Sequence, residues 1–169
     1  TDPFIFTYRE RRQHYKKKIK SLEKTLVNLN EERLEIDKNR SKSTYELKEL
    51  DKRLKEFKQE RDRLGNYKSE SISSSVLHGS MMQYTVVDFR KRIHKATDET
   101  SERINFLKLG VMQGEERKQL IKLEIDDTEF KIKERTAAFL EFDTQYKKQV
   151  KVVEKLNLFG AQGDEEAKR

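Results

Sequence analysis

From Tyr8 onward, seam residues return at alternating steps of four and three: Tyr8, Arg12, Tyr15, Ile19, Leu22 and Leu26, and on in the same rhythm to Phe57, Arg61 and Leu64. Twelve of these seventeen positions are apolar. A repeat of 3.5 residues confines the apolar surface to one narrow stripe along a helix. Such a stripe can be buried along its whole length only against another helix. A compact globular core is a poor alternative, because 41% of the chain is charged and 33% hydrophobic, against about 25% and 45–50% in an ordinary domain. Disorder fits no better, since a net charge of +7 over 169 residues is modest and the apolar residues are patterned rather than depleted.

The spacing predicts a first coiled-coil helix over 8–64, ended by Gly65, and a serine-rich turn over 65–80. A second helix is expected over 81–159, its seam running through Met82, Val86, Phe89, Ile93, Ala96 and Thr100. There the phase slips by one residue to Ile104, a stutter near position 100 that relaxes a left-handed supercoil locally. Gly110 and Gly114 are a weak point, each costing about 1 kcal/mol relative to alanine within a helix. A kink at 110–114 is one reading. A continuous helix is favoured, because the seam keeps one phase on both sides. Their GxxxG spacing is the pattern of membrane-helix dimers, but the flanks are full of Lys and Glu. Residues 160–169 read as a flexible tail, and 1–7, with Phe4, Ile5 and Phe6, as an apolar cap.

A heptad seam needs a partner, and the fold class expected is all-α, an antiparallel helical hairpin with a further partner or a second copy. Arg12, Arg33, Arg40 and Arg61 all occupy a positions, so a parallel in-register homodimer would set each against its own image. The hairpin alignment chosen from the seams places Tyr8 against Phe139, Tyr15 against Ile132, Ile36 against Val111, Leu54 against Ile93 and Arg33 against Gly114. It also sets the apolar cap against Phe142 and Tyr146. Because the second helix is longer, Val150, Val153, Leu156, Leu158 and Phe159 are left as an apolar overhang that asks for another chain.

Two candidate partner-binding surfaces follow. One is that overhang. The other is a basic cluster of Arg9, Arg11, Arg12, Lys16, Lys17, Lys18 and Lys20, opposed within residues 1–20 only by Asp2 and Glu10, which would attract an acidic surface. Catalysis and cofactors are not expected: His14, His78 and His94 are scattered, there are no cysteines, and a pair of helices offers no cleft to desolvate an acid or base. The Ser71, Ser73, Ser74 and Ser75 run could accept phosphate or simply be a polar connection. The reading is a non-enzymatic coiled-coil scaffold or spacer mediating protein–protein assembly, cytoplasmic and suited to a cytoskeletal or motor-associated complex, with other protein chains as partners and no small-molecule substrate. The alternative is a membrane-apposed or nucleic-acid-binding helical module using the basic cluster.

Overall fold

The computed structural model describes the backbone of residues 3–168 and the side chains of residues 7–158. Its elements are α1 (Pro3–Gly65), β1 (Ser71–Ser74), β2 (Met82–Thr85) and α2 (Val86–Lys168). Two long helices dominate and pack against each other as an antiparallel hairpin. The chain divides into two compact units, Arg33–Leu120 and Thr1–Glu32 with Ile121–Arg169.

Within Arg33–Leu120 the connection is more than a turn. β1 and β2 form an antiparallel two-stranded sheet that pairs Ile72 with Tyr84 and Ser74 with Met82. Residues 82–85, expected as the start of the second helix, are therefore strand, and the expected 65–80 turn contains the other strand. The reason is local. Alternation in Ser71–Ser74 buries Ile72 and Ser74 while Ser73 stays outside, and Tyr84 buries on the facing strand. Gly79 sits at φ 74° with its amide donating to Ser75 O at 2.8 Å, a left-handed conformation that glycine adopts without a Cβ penalty.

The α2 start is capped by Thr85, whose Oγ1 accepts the Asp88 amide at 3.2 Å, with Asp88 in the first turn where a carboxylate favours the helix dipole. The Val86 amide donates to Glu70 O, so the ladder runs directly into the helix. Phe57, Leu64, Ile72, Tyr84, Phe89 and Ile93 close over one another as a buried core. Here the seam is supplemented by a sheet.

Farther along this unit, ion pairs set the helices. Glu46 accepts from Arg103 at 2.9 Å, Arg40 donates to Glu115 at 2.6 Å, and Lys118 donates to Asp37 at 2.7 Å. A Cβ placed on Gly114 would stand 3.3 Å from Ile36 Cγ2. Ile36, expected against Val111, thus occupies the notch that Arg33 was expected to fill. Helix α2 runs through Gly110 and Gly114 unbroken.

In the other unit the buried residues include Leu29, Ile121, Ile125 and Thr128, and the Thr128 hydroxyl is satisfied by Glu124 O at 2.7 Å. Toward its outer end, Tyr15 lies 6.0 Å from the Phe139 ring and 5.5 Å from Phe142, while Tyr8 stacks on Tyr146 at 3.5 Å and on Phe142 at 5.6 Å. Tyr15 was expected at Ile132 and Tyr8 at Phe139, so the helices are displaced there by about one heptad. Periodicity explains the error: sliding one seam by seven residues restores the same a-to-d layering.

Helix α1 begins at Pro3, five residues before its expected start, and the expected apolar cap rests on side chains that are not described. The side chains of Phe4, Ile5 and Phe6 lie outside the described residues. Helix α2 extends to Lys168 where a flexible tail was expected, and Phe159 is likewise beyond the described side chains.

Candidate partner-binding surfaces

The heptad seam accounts for burial with few exceptions. In α1, Tyr8, Tyr15, Ile19, Leu22 and Leu26 are half-buried and Leu29, Phe57 and Leu64 buried, whereas Arg12, Arg40 and Arg61 at seam positions swing out to solvent. Long basic side chains can do this while their stems cover the apolar layer below. The expected overhang divides. Val150 is half-buried, and Val153, Leu156 and Leu158 are 51%, 64% and 64% exposed.

Helix α1 starts roughly one and a half turns before Tyr8, while α2 runs on past Tyr146 to Lys168. Beyond Val150 the described seam residues of α2 are exposed. Val152 joins Val153 beside Lys148 and Gln149 around a shallow apolar hollow.

All seven basic-cluster residues, Arg9, Arg11, Arg12, Lys16, Lys17, Lys18 and Lys20, are exposed. The stacking of Tyr8 and Tyr15 on the 139–146 stretch sets this cluster against the same part of α2, where Arg12 and Lys147 both act on the Asp143 carboxyl. Residues 7–20 carry seven basic groups against Glu10, and residues 131–158 seven against four acidic ones. This outer end thus holds +9, more than the net charge of the entire chain.

Its acids are partly committed. Asp143 accepts a hydrogen bond from the Tyr8 hydroxyl and pairs with Lys147 at 3.2 Å. These contacts, the Tyr8 bond first, hold the Asp143 carboxyl below the usual range, and the same bond followed by partial burial raises the Tyr8 phenol. The seven basic residues of the cluster are exposed to solvent.

A feature the sequence did not reveal is a cleft of about 850 Å³ in the Arg33–Leu120 unit, between the end of α1 and the hairpin loop, bordered by Arg53, Glu56, Glu60, Arg63, Ser73 and His78. Arg63 donates to Glu60 at 2.8 Å and to Ser73 O at 3.2 Å, and Arg53 lies over the Phe57 ring. His78 stacks on Tyr84 and His94 pairs with Asp98. Among the described residues no three His, Cys, Asp or Glu side chains gather to hold a metal, and no helix is long and apolar enough to cross a membrane.

Comparison with protein-family models, with characterised proteins and with solved structures returns no match for this chain.

Proposed function

We propose that the protein is a non-enzymatic assembly module, an antiparallel coiled coil that recruits an acidic amphipathic helix of another protein onto its basic, apolar outer end. The observation that carries this reading is one coincidence. Among the described residues the α2 seam is exposed at Val153, Leu156 and Leu158, where the flanking charges are Lys147, Lys148, Lys151 and Lys155 against Glu154. An apolar seam with basic flanks selects a helix with an apolar seam and acidic flanks, and disfavours a second copy of itself through like-charge repulsion. A bare anionic lattice such as a phosphate backbone would use the charge but leave the seam in water.

The test is fluorescence anisotropy with a synthetic heptad peptide carrying Leu at a and d and Glu at e and g, compared with its Lys counterpart. The acidic peptide should bind, with affinity falling as salt rises, and Val153→Asp with Leu156→Asp should weaken it at least tenfold. Equal binding of both peptides, or binding that the two aspartates leave unchanged, would exclude the reading.

A further inference from the structure

The four serines of the hairpin run are alike in sequence and differ once folded. Ser74 is 5% exposed, and its Oγ accepts the Val76 amide at 3.2 Å. Ser71 is half-buried, and its Oγ accepts from Gln83 Nε2 at 3.4 Å. Ser73 and Ser75 are exposed and border the cleft beside α1, with no hydrogen bond on either hydroxyl among the described residues. Of these two, Ser73 has a cation at its own backbone, because Arg63 Nη2 donates to Ser73 O at 3.2 Å.

The carbonyl and hydroxyl of one serine are only a few bonds apart, so a phosphate on Ser73 Oγ comes within reach of that guanidinium without moving the strand. Arg63 is at present shared with Glu60, whose Oε2 accepts from Nε and Nη2 at 3.2 and 2.8 Å. A phosphoserine brings a charge of about −1.5 to −2 and three acceptor oxygens, against one charge on Glu60, and the arginine fork binds phosphate through paired bonds. Further donors border the site: Gln83 is the cross-strand partner of Ser73, and Arg53 and His78 line the same cleft. Glu56 and Glu60 are the anions on its α1 wall. A phosphate at a helix C-terminus is repelled by unpaired carbonyls. Here Arg63 reaches back one turn to Glu60, and the Arg63 and Leu64 carbonyls are taken by the Asn66 and Tyr67 amides.

We infer that Ser73 is a phosphorylation site whose phosphate docks on Arg63 and clamps β1 to α1. The modifying step is phosphoryl transfer by a serine/threonine protein kinase using ATP. The Ser73 hydroxyl oxygen attacks the γ-phosphorus, the new O–P bond forms as the bond to the β-phosphate oxygen breaks, ADP leaves, and the hydroxyl proton passes to the base of the kinase. The docked phosphate takes Arg63 from Glu60 or shares it, which adds a charge-assisted tie between the strand and the helix at the closed end of the hairpin. Every residue involved belongs to the Arg33–Leu120 unit, so the site stands apart from the basic cluster and from Val153–Leu158.

The experiment uses the full chain with phosphoserine encoded at position 73 or, as a control, at position 80, where Ser80 is exposed in the same loop and does not border the cleft. Phosphorus NMR should show the phosphate at 73 losing its second proton at lower pH than the phosphate at 80, because a cation beside it favours the dianion. Arg63→Gln should move the titration at 73 up to that at 80. The comparison of 73 with 80 is made in the otherwise native chain and stands whatever Arg63→Gln does to folding. In a second arm the unmodified chain is incubated with ATP and a panel of serine/threonine kinases, and mass spectrometry should place phosphate at Ser73 ahead of Ser75 and Ser80. Equal titration at the two positions, a shift at 73 that survives Arg63→Gln, or phosphate that never reaches Ser73 would each overturn the proposal.

Discussion

Asp37, Glu46 and Asp143 form a set of cross-helix anchors, and their titration makes the fold sensitive to pH in a definite direction. Hydrogen bonds from Lys118 to Asp37, from Arg103 to Glu46, and from Tyr8 and then Lys147 to Asp143 hold all three carboxyls below their ordinary values. A carboxylate with a lower pKa folded than unfolded stabilises the fold above its unfolded value of about 4, and that contribution is lost as pH falls through the folded value. Tyr8, raised by its bond to Asp143, acts oppositely: its contribution is present below the ordinary phenol value of about 10 and disappears as pH rises through the folded one. Thermal midpoints followed by circular dichroism should be flat between about pH 5 and 9 and decline on both sides. Combining Asp37→Asn, Glu46→Gln and Asp143→Asn should flatten the acid limb; a limb of unchanged steepness would show that these pairs contribute nothing. Packing predicts a larger effect. Leu29, 7% exposed, should lose about 2–4 kcal/mol as alanine, whereas Val27, 54% exposed, should stay within about 0.5 kcal/mol.

At the scale of elements, the two glycines of α2 separate propensity from packing. Gly110→Ala enters open space and should stabilise by up to about 1 kcal/mol. Gly114→Ala adds a methyl 3.3 Å from Ile36 Cγ2, so that side chain must give way and the gain should be smaller or reversed; denaturant midpoints with unchanged slopes would measure both. The helix start offers a second test, since Thr85→Ala removes the cap on Asp88 and should cost about 1 kcal/mol. The helices and their seam were legible because a 3.5-residue period is written in residue identity, from Tyr8 to Leu64, and burial follows it. The register was not, because Tyr15 can meet Ile132 or Phe139 without disturbing any layer of the heptad pattern. The sheet hid in a serine-rich stretch whose polar surface resembled a loop. Its signals were the Ile72–Ser73–Ser74 alternation, Gly79 and the Thr85-x-x-Asp88 capping pattern, each too short to stand against a neighbouring heptad.

For the whole molecule, burial differs from segment to segment, and that difference bears on local stability. Phe57, Ile72, Phe89 and Ile93 are all at most 1% exposed and join strands and helices in one core. In the other unit Ile121 and Ile125 are buried, the seam from Ile132 to Val150 is half-buried, and Val153 and Leu156 are exposed. The basic cluster and the apolar residues beyond Val150 stand in the sequence as composition and seam, and both are exposed, whereas the stacking of Tyr8 on Tyr146 was not foreseen. Opening free energy follows buried apolar contact, so the outer end should open far more often than the closed end, and unfolding should not be strictly two-state. Amide hydrogen exchange should therefore be slowest over Phe57–Leu64 and Phe89–Leu107. It should quicken through Ile132–Val150 and be fast at Val153–Leu158. Addition of the acidic heptad peptide should slow exchange at Tyr146–Leu158 and leave the closed end unchanged, because a ligand stabilises most the segment whose opening it opposes. Uniform protection along α2 in the free protein would show that the hairpin opens as one cooperative unit, and would remove the exposed seam as a docking surface.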